Sequence, residues 1–395
     1  MGQLLLIANI FGYIGIIFLF IHITIGTRHI FKYFSKDTVY LNRTHKFFGK
    51  WGVLFVFAHP VLEMMNRLES WSWLFTPNFS SETEEHISLG RIALILIIII
   101  WVTSAIIREK IKWRPWKYIH LLAYPVLLLT FLHIPELGTY FFEYPAIQWI
   151  WFFCFFLFVY SFILRVLALM GYNKEEYIIS DRKMVGENII LLTLKHKEGK
   201  SLNINIGQHC FIQTDRFLSE HPFTVMEQNK ETGEITFGIR QVGKTFDRLL
   251  AKNVGDKIFL DGPYGVFTKE AWNDEDKIVI SAGAGVTPFV DLVRKYGKSI
   301  TYINCNRNIE EAICRSVLMT SKKYIDVVEN YNGDKNENIK VGKINIDIIK
   351  EVVGENYQNE KYFICGSPGF IFFIQGLIVS AGVPKKNIYF EELGF

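Results

Sequence analysis

Residues 45–65 read HKFFGKWGVLFVFAHPVLEMM. Apart from Lys46, Lys50 and Glu63 the run carries no fixed charge. A helix of roughly 20 apolar residues crosses the ~30 Å hydrocarbon core of a bilayer, so this stretch has the length of a membrane span. It holds a histidine near each end, His45 and His59, with a spacing of 14. Ionisable side chains are costly in lipid and are kept there for function. Fourteen helical steps fall only ~40° short of four full turns and separate the two rings by ~20 Å along the axis.

Further along, Trp116–Pro135 is a second apolar segment with two histidines, His120 and His133, at a spacing of 13. On an ideal helix that leaves them ~140° apart in azimuth. Pro125 lies between them and can bend the helix enough to re-aim one ring. Both segments run in the same direction, so His45 and His120 sit at one depth and His59 and His133 at another. Two helices each offering one imidazole at two matched depths make two bis-imidazole sites. Neutral imidazole is a good ligand for iron, and in a helix-bundle core the expected iron carrier is haem. His22, His29 and His86 have no such partner pattern and read as ordinary residues.

The rest of the chain fits this frame. It has 395 residues, of which 50% are hydrophobic and 21% charged, with 34 Phe, 18 Tyr and 9 Trp; such a chain is neither disordered nor small enough for one domain. Five cysteines are too few for a disulfide scaffold. A net charge of +4 is too small and too dispersed for nucleic acid. The mean hydropathy of +0.19 points to a membrane portion. Five spans are expected: Leu4–Gly26, Phe47–Met65, Leu89–Ile107, Trp116–Pro135 and Ala146–Leu164. The first has no small-residue cleavage site and reads as a retained helix. Basic residues crowd the loops 28–50 and 108–117, whereas Glu63, Glu69, Glu82, Glu84, Glu85, Glu136 and Glu143 fall in the alternate ones. The positive-inside bias then places the N-terminus outside and everything after residue 170 in the cytoplasm.

From Tyr172 onward the pattern turns to short strands. Ile189–Leu194, Gly207–Gln213, Ile235–Arg240 and Lys257–Leu260 suggest a small antiparallel barrel. Within it stands His221-Pro222-Phe223-Thr224, which offers a flat wall and a hydroxyl to a ring system, or is a surface turn. Arg240, Gly243 and Thr245 can present a charge and backbone N–H groups to a pyrophosphate. Residues 261–265 read as a tight turn. Residues 276–395 alternate strand and helix, as a doubly wound parallel sheet does. The strand Lys277–Ser281 leads directly into Gly283-Ala284-Gly285-Val286-Thr287-Pro288 and a helix from Phe289, a phosphate-binding turn that lacks the third glycine of the dinucleotide fingerprint. Arg307, after the next strand, either meets a 2′-phosphate or is a solvated loop charge. A late strand ends in Cys365-Gly366-Ser367-Pro368, at the edge where such sheets bind ligands.

Taken together and in this order, the two histidine pairs, His221–Thr224, Gly283–Pro288, Cys365–Pro368 and the final FEELGF resemble the NADPH oxidase / ferric reductase superfamily, and the compact bacterial NADPH oxidases most of all. The resemblance implies a multi-domain chain. An α-helical transmembrane di-haem bundle (1–172) precedes a ferredoxin-NADP reductase-like module, with an antiparallel β-barrel FAD domain (173–273) and a doubly wound α/β NAD(P)H domain (274–395). It implies FAD, two b-type haems and NADPH or NADH as cofactors. His45 and His120 would ligate the inner haem, His59 and His133 the outer one. His221, Pro222, Phe223 and Thr224 would line the flavin, with Arg240, Gly243 and Thr245 near its phosphates. Gly283, Gly285, Thr287 and Pro288 would hold the phosphates of the nicotinamide nucleotide. Cys365, Gly366 and Pro368 would lie near the reactive ring, and Phe395 would stack on the flavin, so that Phe395, Cys365 and Thr224 surround the transfer site. The family implies an acceptor on the outer side: dioxygen giving superoxide, a ferric chelate, or a partner protein fed by a haem relay. Two departures stand out. Family members commonly have six spans, and Glu63 occupies the place where animal superoxide producers carry a histidine.

Overall fold

The computed structural model describes residues 2–27, 30, 35–138, 140–172, 174–185, 189–200, 202–241, 243–334 and 336–391. Two compact units divide the chain, Met1–Leu167 and Ala168–Phe395.

The first unit is helical. Helices α1 (Gly2–Ile25), α2 (Thr38–Arg67), α3 (Glu82–Trp101), α4 (Trp113–Leu121), α5 (Ala123–Leu137) and α6 (Pro145–Leu169) follow in order. Two of these starts, those of α2 and α3, have a side-chain cap. The Asp37 carboxylate accepts the Tyr40 N–H at 2.9 Å to cap α2, and the Ser81 hydroxyl accepts the Glu84 N–H at 3.3 Å to cap α3. Glu82, Glu84 and Glu85 in the first turn of α3 favour its positive dipole end. Because Asp37 caps it, α2 begins at Thr38, and Arg43, Lys46 and Lys50 ride on the helix rather than in the loop expected there.

Among the described residues four helical stretches are long and apolar enough to cross a membrane: Gln3–Ile25, Glu82–Ile106, Trp113–Leu137 and Pro145–Ala168. The chain is a membrane protein of about four such candidate spans. Helix α2, where a fifth span is expected, is 30 residues long but carries basic residues in its first half and Glu63 and Arg67 near its end. Between α4 and α5 the helix breaks at Leu122, whose ψ of −12° departs from α geometry. The break falls next to Leu121, the residue four before Pro125 whose carbonyl the proline ring would strike. Helix α3 runs on as a π turn, Val102–Ile106, closed by Ile107 N–H donating to Val102 O at 3.0 Å. Phe20, Ile23, Leu127, Phe131 and Phe158 join α1, α5 and α6 in one packed cluster. Lipid is as apolar as these side chains, so close packing holds this unit and not the expulsion of water.

In the second unit strands β1 (Glu175–Val185), β2 (Ile189–His196), β3 (His209–Gln213), β4 (His221–Gln228), β5 (Ile235–Arg240) and β6 (Lys257–Tyr264) close a barrel in the order β1-β2-β5-β4-β3-β6. Every pairing is antiparallel. Alternate residues point inward: Ile190, Leu192 and Leu194 on β2, and Ile235, Phe237 and Ile239 on β5, are buried in the barrel core. Burying such a side chain contributes about 1.5–3 kcal/mol. Helix α7 (Gly243–Leu250) adds Phe246 and Leu249 to that core. Residues 261–264, expected as a tight turn, instead prolong β6, where His209 pairs with Tyr264.

Strands β7 (Lys277–Ala282), β8 (Ile300–Asn306), β9 (Lys323–Val328), β10 (Ile339–Val341), β11 (Lys361–Cys365) and β12 (Ile388–Phe390) form a parallel sheet ordered β10-β9-β8-β7-β11-β12. Consecutive strands step outward from β7 to β10, and the chain then returns to lay β11 on the other side of β7. That reversal opens a crevice at the carboxyl ends of β7 and β11, where open α/β sheets bind ligands. A 3₁₀ turn, Gly283–Phe289, leads from β7 into α8 (Val290–Tyr296), so the α-helix begins one residue later than expected. Helices α9 (Ile346–Val353) and α10 (Pro368–Ser380) complete the layers, α10 starting directly after the crevice.

Candidate functional site

In the helical unit the four singled-out histidines come together as two pairs. The ring centres of His45 and His120 are 5.9 Å apart, with the planes at 71°. Those of His59 and His133 are 6.4 Å apart at 78°. An iron between two imidazoles, at metal–nitrogen distances of about 2.0–2.1 Å and with each ring centre about 1.1 Å behind its nitrogen, requires about 6.3 Å between centres. Both ring separations are close to that value.

Their Nδ1 atoms are already engaged. His45 Nδ1 meets His22 O at 2.9 Å, His59 Nδ1 meets Ala8 O at 2.9 Å and His133 Nδ1 meets His86 O at 2.8 Å. A carbonyl only accepts, so Nδ1 carries the proton and Nε2 keeps its lone pair for a metal. His120 differs: its Nδ1 lies 3.2 Å from the Ser104 hydroxyl.

His22 and His86, read from sequence as ordinary, are corrected here. His22 stacks on His45 with centres 3.8 Å apart and its Nδ1 meets His45 O at 2.8 Å. The His86 carbonyl holds His133, and its own Nδ1 meets Leu132 O at 3.2 Å. No sequence spacing reveals either contact, because each joins two different helices. His29 lies outside the described residues.

A cavity of ≈ 330 Å³ opens beside the second pair, lined by His59, His133, Glu63, Arg67, Trp73 and Arg91 among others. Glu63 is not a lone acid: Arg67 Nε lies 3.6 Å from its carboxylate. Arg91 is buried, its guanidinium 4.4 Å from the Trp73 ring centre and 3.2 Å from Glu84. Sequence reading passed over Arg91, although an arginine inside an apolar helix was the available signal.

In the reductase unit a cavity of ≈ 720 Å³ lies between barrel and sheet. It gathers Pro222, Phe223, Thr224 and Arg240 from the barrel with Gly283, Gly285, Thr287, Arg307, Cys365, Gly366 and Pro368 from the sheet. His221, Gly243, Thr245 and Pro288 are not in its wall. His221 begins β4, so the His221–Thr224 stretch is a strand and not a surface turn. Gly243 and Thr245 form the first turn of α7, whose N–H groups favour an anion. Pro288 is buried in the 3₁₀ turn. Phe395 lies outside the described residues.

Close approach explains the glycines. A Cβ on Gly285 would collide with the Cys365 carbonyl and come within 2.8 Å of Gly366 N. The two loops at the crevice therefore touch through backbone alone. Gly283 has φ +54°, and a Cβ there would lie 2.7 Å from Arg240 Nη1. Arg240 also pairs with Glu311 at 3.2 Å, tying barrel to sheet. At the start of α10 the Ser367 hydroxyl accepts the Phe370 N–H at 3.3 Å, leaving the helix N-terminus facing the cavity.

One buried pair was invisible in the sequence. His209 Nδ1 on β3 lies 3.3 Å from Glu391 Oε1, just after β12, and both side chains are buried. Both His209 ring nitrogens and Glu391 Oε2 find no hydrogen-bond partner among the described residues. Thr224 faces His209 directly across the strand pair. Orphaned polar atoms beside a ring-sized crevice suit the polar edge of a flavin. Burial pushes the Cys365 thiol up to about 12, and the Glu391 carboxylate adds to that shift. Cys365 is thus a neutral thiol at physiological pH and no nucleophile.

Comparison with known proteins agrees with this architecture. Residues 10–131 match the family "Ferric reductase like transmembrane component", 177–268 an "FAD-binding domain" and 279–376 an "Oxidoreductase NAD-binding domain". The ferric/cupric reductase transmembrane component 7 of Saccharomyces cerevisiae is 27% identical over 215 residues, covering 52% of this chain and 33% of that protein. The flavohemoprotein of Bacillus subtilis is 28% identical over 155 residues, 35% of this chain and 38% of its own. NADPH oxidase 1 of Mus musculus is 28% identical over 139 residues, 33% of this chain and 22% of its own. The chain thus spans about a third of the length of the curated relatives it matches. A flavohemoglobin from Malassezia yamatoensis shares the fold at a TM-score of 0.50 and 20% identity, over 84% of this chain and 92% of that one. A membrane helical unit followed by an FAD barrel and a nicotinamide-nucleotide sheet is the order of parts these matches share, and they place the chain with the NADPH oxidase / ferric reductase-like family.

Proposed function

We propose that this chain takes electrons from NADPH on the cytoplasmic side of a membrane and delivers them to dioxygen on the outer side, as superoxide. The balance is one NADPH and two dioxygen molecules giving NADP⁺, two superoxide ions and one proton. When bound, FAD would supply the conversion from hydride to single electrons, and two b-type haems would supply one-electron carriage across the lipid. The observation that carries the reading is the pair of imidazole gaps, 5.9 and 6.4 Å, each of the width an iron needs.

The chain's own residues bind, orient and exclude water. His45 with His120 would hold the inner haem, and His59 with His133 the outer one. Phe223 and Thr224 would form the flavin wall, and the N-terminal turn of α7 with Arg240 would meet its pyrophosphate. Gly283, Gly285 and the start of α10 would cradle the nicotinamide nucleotide, and Arg307 at the cavity wall would favour the 2′-phosphate of NADPH. Cys365 and Gly366 would press the reactive ring inward. Helix α2 would be the fifth span, putting the N-terminus outside.

Arg67 and Arg91 line the outer cavity, Arg67 paired with Glu63 and Arg91 with Glu84. Guanidinium donors suit an anionic product such as superoxide. The Glu63 carboxylate favours a second reading, reduction of a ferric chelate. Purified protein given NADPH separates the two. Cytochrome c reduction abolished by superoxide dismutase is expected. Retained reduction in its presence, with turnover of ferric chelates, would establish the second reading. A protein without a Soret band would remove both.

A further inference from the structure

Three of the paired histidines are held by one repeated device. His59, His45 and His133 donate Nδ1 to the carbonyls of Ala8, His22 and His86. Four residues beyond each carbonyl stands a glycine: Gly12 and Gly90 within their helices and Gly26 just past the end of α1. A Cβ there would come within 2.9 Å of His59 Nδ1, 3.1 Å of His45 Cε1 and 2.8 Å of His133 Nδ1. The reason is local. A helical carbonyl normally accepts the N–H four residues on, as His22 O accepts Gly26 N–H at 3.1 Å. Its second lone pair is open to a side chain from a neighbouring helix only if no Cβ shields it. His22 repeats the device, reaching His45 O past Gly49.

Gly12 and Gly26 are 14 residues apart. Fourteen residues beyond Gly90 comes Ser104, not glycine. Ser104 lies within the π turn Val102–Ile106. Here the partner of His120 is the serine hydroxyl itself, at 3.2 Å. The same oxygen accepts Trp116 Nε1–H at 3.1 Å, and the Trp116 ring stacks on His120 with centres 4.9 Å apart.

We infer that Ser104 is a positioning residue of the inner site, where its hydroxyl holds the His120 ring and makes His120 the least electron-donating of the four paired imidazoles. The inference rests on the reading of His45 and His120 as iron ligands. A strong acceptor on Nδ1–H raises the basicity of the metal-bound nitrogen and favours the oxidised metal. A backbone carbonyl is such an acceptor. A hydroxyl that already accepts from Trp116 is a weaker one, since its oxygen shares its lone pairs between two donors. Removing it leaves Nδ1–H with nothing and should favour the reduced state further.

The test is redox titration of the purified full chain, following the two haems by absorption and electron paramagnetic resonance, in wild type, Ser104→Ala, Ser104→Thr and Trp116→Phe. In Ser104→Ala one haem should shift toward reduction by about tenfold in its equilibrium, about 59 mV for one electron, with the other unmoved. Ser104→Thr should restore the wild-type value. Trp116→Phe, which frees the serine oxygen to accept more strongly, should move the same haem the opposite way. Loss of that one haem in Ser104→Ala with retention in Ser104→Thr also supports the role. Both haems present with unmoved potentials in Ser104→Ala and Trp116→Phe, or both haems moving equally, would overturn it and leave the ligand assignment standing. A wild-type protein without haem would instead overturn the assignment on which it rests.

Discussion

Cys365 ends strand β11 at the crevice, buried and neutral. Iodoacetamide at pH 8 should leave it unlabelled in the folded protein and label it after denaturation, as read by peptide mass spectrometry. Cys305, at the end of β8, has its thiol pushed up by burial too. The sign of the stability effect follows. Both folded values lie above the ordinary value of 9.0, so the stability these thiols lend is complete below about pH 9 and is lost as pH rises toward the folded values. Thermal unfolding of the reductase unit within the full chain should therefore fall as pH is raised from 9 toward 11, and substituting both cysteines by alanine should flatten that dependence. Gly285 makes a second prediction at this scale. Gly285→Ala places a methyl against the Cys365 carbonyl and Gly366 N, so the loops must separate. A loss of about 1–3 kcal/mol is expected from such overpacking, with a raised KM for NADPH, measured by denaturant unfolding and steady-state kinetics.

Helix starts and breaks aim the groups that matter. Helix α10 begins at the crevice because Ser367 caps it and Pro368 opens its first turn. Ser367→Ala removes one N-terminal bond and should cost about 1 kcal/mol of stability. If that helix end faces the nucleotide's phosphates, KM for NADPH should rise while kcat changes less. In the other unit a break at Leu122, just before Pro125, separates α4, which carries His120, from α5, which carries His133. Pro125 announced that interruption in the sequence.

The molecule consists of two compact units, and the proposed chemistry divides between them. Substituting His45 and His120 by alanine should therefore separate two activities. NADPH-dependent reduction of ferricyanide, a soluble acceptor able to take electrons at the reductase unit, should persist near the wild-type rate. Superoxide formation should fall at least a hundredfold, since removing a ligand pair removes one carrier from the path. Equal loss of both activities, with FAD still bound, would argue that the reductase unit does not turn over independently.

The amino-acid sequence determined the order of parts on its own. Apolar length and charge marked a membrane portion, alternation marked the barrel strands, and the glycine turn after Lys277–Ser281 marked the nucleotide sheet, because hydrophobic period and turn chemistry are local properties. It also singled out His45, His59, His120 and His133, since a histidine in lipid is conspicuous by itself. Tertiary structure alone decided what supports them. Ser104 and Trp116 meet His120, His22 lies flat on His45, and Glu391 reaches His209 from 182 residues away. Each of these contacts joins elements whose crossing is fixed by packing, and no periodicity along one strand or helix encodes where a different element will lie against it.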